Sequence, residues 1–191
     1  MAANEKTDHV AGKNLTEMKR TSDRETTVTH TFNAPAHIVF AAWTNPEHFK
    51  RWWTPKSYNM TIHSCEIDAR TGGGYKLMLS HPDYAPEPMP FFGRYLEVTP
   101  PHRLVWTNEE GGEPGPVTIV TFEEKGGRTL LVMRDLYPSK EALDTAMESG
   151  STGGFEETFD QLAAFLAAAP CQPTIPVRQS TKANVGSALQ P

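Results

Sequence analysis

Residues 116–136, PVTIVTFEEKGGRTLLVMRDL, predict a β-hairpin that turns at Gly126 and Gly127. Two adjacent glycines between β-branched and apolar runs favour a two-residue turn, because glycine readily adopts the positive φ angles that such turns need. Placing Lys125 opposite Arg128 fixes the register of the whole hairpin. The residues of one face then form three pairs, which are Phe122 with Leu131, Val120 with Met133, and Thr118 with Asp135.

The face that carries these three pairs is graded. It is apolar next to the turn and polar at the far end, where Thr118 and Asp135 lie. Apolar walls with a few polar groups are typical of small-molecule sites. The alternative role for Asp135 is to cap the end of the strand. A second hairpin, around Pro100–Pro101, places Tyr95 opposite Trp106 if its connection has four residues.

The residues that follow the hairpin return to helical spacing. Ser139 is a suitable N-cap for a short helix that runs to about Met147. Further along, a second helix is predicted from an apolar stripe at intervals of three and four residues, formed by Phe155, Phe159, Leu162 and Leu166. The apolar stripe must be buried against another apolar surface, and we expect this surface to be the sheet.

The region before the hairpin predicts one strand, two short helices and a meander of antiparallel strands. The alternating run 25–32 forms the first strand, and Pro35 and Asn45-Pro46 open and separate the helices. Strands are then predicted at 60–68, 74–80, 91–98, 103–108, 116–124 and 128–136, with the Pro-rich residues 82–90 as a turn.

These elements place the domain at residues 25–169. Residues 1–24 lack a sustained apolar pattern, and residues 170–191 contain four prolines and no acid. Such segments bury too little apolar surface to offset the entropy of ordering them. We therefore expect a flexible N-terminal extension and a flexible Pro-rich tail.

Charge argues against nucleic acid as a partner. The whole chain carries a net charge of −5, and residues 26–169 carry 11 Lys and Arg against 18 Asp and Glu, a net charge of −7. An acidic domain repels phosphate backbones, and no basic stripe with interleaved aromatic residues is present in the sequence.

The sequence also predicts no metal, cofactor or membrane span. Cys65 and Cys171 are 106 positions apart, and the seven histidines show no paired ligand spacing, so both cysteines are expected to be free thiols. No run of 18 apolar residues and no signal peptide occur, which favours a cytoplasmic location.

Several short motifs make the chain similar to a known family. They are FNAP at 32–35, AAWTNPE at 41–47, WWTP at 52–55, DARTGG at 68–73, GRYLE at 93–97, PPHRLV at 100–105, and the pattern from Gly153 through Leu166. In this order they resemble the heat-shock-protein-90 ATPase activator-homologue family, a branch of the START-like superfamily. The match covers residues 25–168 and departs from the family at Thr54, where Gly is frequent, and at Phe155, where Trp is frequent.

The resemblance implies an α+β helix-grip fold. In this fold a curved antiparallel sheet, here of about six or seven strands, wraps around a long C-terminal helix, and two short helices follow the first strand. An elongated, mainly apolar cavity lies between the sheet and the helix. Members of the superfamily bind lipids, sterols, hormones or polyketides, and some cyclise or hydrolyse small molecules.

Candidate ligand-binding residues come from the graded face, the apolar stripe and the aromatic residues placed near a cavity. They are Trp53, Tyr75, Tyr95, Trp106, Val120, Phe122, Leu131, Met133, Asp135, Phe155, Phe159 and Leu162. Trp52 and Trp53 point about 100° apart on a helix, so one is expected to pack in the core and Trp53 to roof the cavity mouth.

Three functions remain open at this point. The favoured one is a non-catalytic protein that binds a small apolar or aromatic molecule. A cyclase, aromatase or hydrolase would need a cavity carboxylate with a raised pKa. Its candidates are Asp135 above all, then Glu66, Glu97 and Glu109, with Arg94 or Arg134 as neutralising partners. A chaperone-interacting module is the third, and a homodimer is left open.

Overall fold

The computed structural model describes residues 16–112, 114–150 and 152–168. Its strands are β1 (Glu17–Arg20), β2 (Glu25–Phe32), β3 (Thr61–Ile67), β4 (Gly74–His81), β5 (Ala85–Thr99), β6 (Arg103–Thr107), β7 (Val117–Lys125) and β8 (Arg128–Leu136). Its helices are α1 (Ala36–Thr44), α2 (Pro46–Phe49), α3 (Lys140–Glu148) and α4 (Phe155–Ala168), with one 3₁₀ turn at Lys56–Tyr58.

All eight strands form one antiparallel sheet in the order β1-β2-β8-β7-β6-β5-β4-β3. The curved sheet and the C-terminal helix confirm the α+β helix-grip prediction. The short helices follow β2 as expected, and Ser139 caps α3 by accepting a hydrogen bond from the backbone N–H of Ala142.

The strand count exceeds the predicted six or seven because β1 lies inside the segment assigned to a flexible extension. Met18 pairs with Val28 of β2 and also packs against the core. Four residues with one apolar side chain carry no periodic signal, and β1 is held mainly by the backbone hydrogen bonds that it adds to the sheet edge. The remaining predictions for residues 1–15 and 169–191 lie outside the described residues.

The register of the β7–β8 hairpin is the predicted one. Val120 pairs with Met133, Phe122 with Leu131 and Thr118 with Asp135. Gly126 and Gly127 have φ angles of 60° and 73°, as a two-residue hairpin turn of this type requires.

Tyr95 lies opposite Trp106 as predicted, although the connection between the strands is shorter than expected. Thr99 already pairs with Arg103, and an irregularity in the pairing after Tyr95 restores the predicted partner.

Strand β5 is longer than predicted, because the Pro-rich residues 82–90 do not form a turn throughout. Its prolines are Pro86, Pro88 and Pro90, at alternate positions, so their missing N–H groups fall on one edge of the strand. β4 pairs with the other edge, and β6 pairs only with residues 95–99. The missing donors therefore interrupt no ladder.

The core lies between the turn-proximal half of the β7–β8 hairpin, strand β2, and helices α1 and α4. The ring centroids of Phe40 and Phe122 are 5.4 Å apart, and those of Phe32 and Phe159 are 5.8 Å apart. Trp43 of α1 sits at the centre and also contacts the ring of Phe159, at 6.3 Å. This packing fills one end of the space beneath the sheet.

Candidate ligand-binding cavity

The other end of that space is a cavity of about 590 Å³. Its walls come mainly from strands β3 to β8 and their connections, the residues between α2 and β3, and the first turn of α4, with single residues from α1, α2 and α3. Ten of its lining residues are aromatic, namely Trp43, Phe49, Trp53, Tyr58, Tyr75, Phe91, Tyr95, Trp106, Tyr137 and Phe155. A volume of this size falls within the range of about 300–1,000 Å³ that small-molecule sites occupy.

Hydrogen-bonding side chains gather where β6, β7 and β8 meet the cavity. The amide of Asn108, just after β6, lies between the hydroxyls of Tyr75 and Thr118, at 2.7 Å and 3.0 Å. The hydroxyl of Thr118 lies 2.6 Å from Oδ1 of Asp135. These four side chains form one connected chain, which we call the polar end of the cavity.

The orientation of the Asn108 amide follows from its fixed partners. Nε1 of Trp106 only donates and lies 3.3 Å from Oδ1 of Asn108, while the carbonyl of Pro116 only accepts and lies 3.3 Å from Nδ2. Nδ2 therefore donates to the hydroxyl of Thr118 as well. Since that hydroxyl oxygen accepts from Asn108, its own proton is donated to Oδ1 of Asp135.

Asp135 is left with one carboxyl oxygen that has no hydrogen-bond partner among the described residues. Thr118 occupies Oδ1, and no described residue bonds to Oδ2. The side chain is half-buried and lines the cavity. A molecule in the cavity can therefore reach a carboxyl oxygen that bonds to no described residue.

Burial sets the protonation behaviour of this end of the cavity. It raises the pKa of Asp135 to about 6, against the smaller opposing effect of the hydrogen bond from Thr118. Burial also raises the pKa of Tyr75, and the nearby carboxylates of Glu110, Glu109 and Asp135 raise it further. Tyr75 is thus a neutral donor at physiological pH, while Asp135, connected to it through Asn108 and Thr118, changes charge near pH 6.

Helix α4 holds the residues at the mouth of the cavity through side chain to backbone bonds. Nε2 of Gln161 donates to the carbonyls of Trp52 and Thr54, at 2.8 Å and 2.9 Å. Glu157 accepts hydrogen bonds from the backbone N–H and the hydroxyl of Ser57. The first two turns of α4 therefore fix both the cavity wall and its rim.

Trp52 and Trp53 follow the end of α2 at Phe49, in a turn rather than in the predicted helix, and their side chains have different surroundings. Trp52 is fully buried and its Nε1 donates to the carbonyl of Ala42 at 3.1 Å. Trp53 lines the cavity and stacks on Phe49 with ring centroids 4.7 Å apart.

Seven of the twelve predicted site residues line the cavity. They are Trp53, Tyr75, Tyr95, Trp106, Met133, Asp135 and Phe155. The other five are not part of its lining and belong to the buried core, and they are Val120, Phe122, Leu131, Phe159 and Leu162. The difference arises because α1 packs directly on the turn-proximal half of the hairpin, as the contact of Phe40 with Phe122 shows, while Phe159 of α4 fills the core against Phe32 of β2.

The sequence prediction omitted Asn108, which connects the whole polar end. Strand alternation contained the signal, because Asn108 is two positions after Trp106 and so continues the same face. The predicted end of the strand at residue 108 and the following Glu and Gly residues concealed it.

The other candidate carboxylates are not cavity residues. Glu97 pairs with Arg103 at 2.9 Å, and this hydrogen bond lowers the pKa of Glu97. The pKa of Glu109 is lowered by a hydrogen bond from Thr107 and by one from Arg94, at 2.8 Å. Glu66 is exposed on β3. Arg94 therefore has a carboxylate partner as predicted, but away from Asp135.

Neither a metal site nor a membrane-spanning helix occurs in the described part of the chain. No group of three or more His, Cys, Asp or Glu side chains there could hold a metal ion. Among the described helices, none is long and apolar enough to cross a membrane.

Residues 33–167 match the model of the family described as activator of Hsp90 ATPase homolog 1-like protein. The chain belongs to this family. The match spans α1 through α4 and so includes the whole cavity. No curated protein matches the chain in sequence.

Solved structures of similar fold come from several bacteria. A Rhodobacter sphaeroides protein is 22% identical with a TM-score of 0.71, covering 80% of this chain and 98% of its own. A Mycobacterium smegmatis protein is 26% identical with a TM-score of 0.68, covering 81% and 98%. An AHSA1-like protein of Aeromonas hydrophila is 17% identical with a TM-score of 0.56, covering 74% and 92%. These likenesses support the fold and carry no function over to this chain.

Proposed function

We propose that this protein binds a small, largely apolar molecule in the cavity between its sheet and helix α4. The observation that carries the proposal is a 590 Å³ space with aromatic walls and hydrogen-bonding groups confined to one end. Apolar walls supply affinity by removing ligand surface from water, and a few polar groups fix the orientation of the ligand. Thr54 and Phe155, where the chain departs from its family, both line the cavity and would shape its selectivity.

The test is displacement of a neutral fluorescent apolar probe, N-phenylnaphthylamine, together with native mass spectrometry of protein purified from a cell extract. We expect saturable binding of the probe, with about one molecule for each chain, and competition by any molecule that copurifies. Protein that binds no probe and carries no copurified molecule would contradict the proposal.

A pair of variants on β8 locates the binding. Met133→Trp places a large ring in the cavity and should abolish probe binding, whereas Val132→Trp faces away from the cavity and should leave it intact. Thermal unfolding of both variants establishes that they fold. Equal probe affinity in the two folded variants would place the probe elsewhere.

One observation favours a second candidate, an enzyme that uses acid–base catalysis. The raised pKa of Asp135 suits proton transfer near neutral pH, and its Oδ2 has no partner among the described residues. Turnover of a molecule identified by mass spectrometry would be lost in Asp135→Asn. Full turnover in that variant would remove Asp135 as the acid or base.

The family description suggests a chaperone-associated role as a third proposal. Stimulation of a chaperone ATPase by added protein tests it independently of the cavity. A cytoplasmic location and a homodimer also stay predictions, to be checked by fractionation and by light scattering.

A further inference from the structure

We infer that the preferred ligand is cationic, with a protonated amine bound at Asp135 and an apolar or aromatic body along the aromatic walls. This inference rests on the proposed binding function and adds the chemical class of the ligand. It follows from the charges of the lining, the geometry of the polar end and the nature of the walls.

The charges that line the cavity are of one sign. Asp135 and Glu110 are acids, and none of the described lining residues is Lys, Arg or His. Arg94 and Arg103 form ion pairs with Glu109 and Glu97, and neither arginine lines the cavity. A negative cavity with low-dielectric walls attracts a cation and repels a carboxylate or phosphate.

The polar end also offers an acceptor rather than a donor. The proton of Thr118 is committed to Oδ1 of Asp135, and Asn108 Nδ2 is committed to Thr118 and to the carbonyl of Pro116. Within the side chains of the polar end, the atom left for a ligand is therefore the acceptor Oδ2 of Asp135, while the tyrosine hydroxyls elsewhere in the lining can donate or accept. Because an ammonium group has donors and no acceptor, it complements this oxygen better than a carbonyl or carboxylate does.

The walls next to Asp135 suit a positive charge as well. Trp106 pairs with Thr118 across β6 and β7, so an indole ring borders the polar end on the cavity side. The rings of Tyr75 and Tyr95 also line the cavity, with their centroids 6.2 Å apart. Aromatic faces attract ammonium groups through their quadrupoles, and the attraction is largest where water is excluded.

The experiment compares three naphthalene probes that differ only in the polar group, an ethylamine, an ethanol and an acetic acid side chain. Their affinities for the full chain are measured at neutral pH by titration calorimetry. Each titration is repeated with Asp135→Asn and with Glu123→Gln. The control removes one negative charge from an exposed position of the same hairpin.

We expect the amine to bind at least tenfold more tightly than the alcohol, and the acid to bind most weakly. In Asp135→Asn the affinity for the amine should fall about tenfold and the affinity for the alcohol should change little. Glu123→Gln should keep the order found in the unmodified chain.

Two results would overturn the inference in different ways. Equal affinities for amine and alcohol, or an amine preference that survives Asp135→Asn, would leave the proposed binding function standing and remove the cationic ligand. If none of the three probes binds, the proposed function fails and the inference fails with it.

Discussion

The two halves of the β7–β8 hairpin differ although they belong to the same pair of strands and the same face. Next to the turn, Phe122 and Leu131 are buried and do not line the cavity, and Phe40 of α1 packs on Phe122. At the far end, Thr118 and Asp135 border a cavity of about 590 Å³. The half next to the turn therefore contributes mainly to stability, whereas the far half borders a cavity with acidic and aromatic walls.

The difference shows that the packed half supports the hollow half. A cavity lowers stability, because the residues around it lack contacts that a filled interior would supply. Here the walls are held from outside, by the strand ladders and by the bonds of Gln161 to the backbone at the mouth. Substitutions in the two halves should accordingly have different consequences for stability and for binding.

The largest expected effect comes from Leu131→Ala in the packed half. Removing a fully buried leucine should lower the free energy of unfolding by about 3 kcal/mol. Met133→Ala, two positions along the same face, should lower it by roughly half as much, because Met133 already borders empty space. Urea unfolding of both variants measures the contrast, and equal losses would erase the distinction between the halves.

The next effect, Asp135→Asn, should stabilise the protein at neutral pH. Because the folded-state pKa of about 6 is above the ordinary value of 3.8, the fold favours the protonated acid, and stability is lost as the pH rises from about 4 through 6. Removing the ionisation should therefore raise the free energy of unfolding by about 2 kcal/mol at pH 7 and change it little at pH 4. Unfolding experiments at both values test this.

Asp144→Asn is the matched control, and it should change the free energy of unfolding at neutral pH in the opposite direction, by lowering it. Hydrogen bonds from Lys140 and Arg20 lower the pKa of this surface carboxyl. The ionised form therefore stabilises the fold above the unfolded-state pKa, and that contribution is lost as the pH falls through the lower folded-state pKa. A destabilised Asp135→Asn variant at pH 7, or the same sign in both variants, would contradict the assigned environments.

A smaller effect is expected from Thr118→Val within the polar end. The hydroxyl stabilises the ionised form of Asp135, so its removal should raise the pKa of that carboxyl above 6. Loss of a hydrogen bond that also satisfies Asn108 should cost about 1 kcal/mol. Titration of the carboxyl carbon by NMR measures the pKa, and an unchanged value would remove Thr118 from the network.

The smallest effect concerns Gln161→Ala at the mouth. The hydrogen bonds that its side-chain amide donates are only part-buried. Their loss should therefore lower the free energy of unfolding by about 1 kcal/mol or less. Hydrogen exchange should nonetheless speed up in the tethered backbone at residues 52–58, which is held by α4. Unaltered exchange there would show that α4 is not what orders the mouth.

More of the fold than of the site could be predicted from the sequence. Two glycines determine a register, so the pairs Phe122–Leu131 and Thr118–Asp135 follow from the order of the residues alone. The face was therefore predictable, but the place where α1 stops covering it was not. That boundary depends on the volumes of side chains distant in sequence, such as Phe40 against Phe122.

The same reason separates the residues that were found from those that were missed. Asp135 stands out because an acid on an apolar face is unusual, and local pattern reveals it. Asn108 acquires its importance from Tyr75, Trp106 and Thr118, which come from three different strands. Strand β1 escaped detection because backbone pairing, which leaves no mark in composition, holds it in place.

The most direct test of the binding site is NMR titration of the full chain with the naphthyl ethylamine probe, following side-chain methyl groups of the hairpin. We expect saturable shifts for the methyl group of Met133, which lines the cavity, and unchanged signals for those of Leu131 and Val120 in the packed half. Absence of saturable shifts, or shifts concentrated at Leu131 and Val120, would contradict the claim that the far end of this hairpin is the binding site.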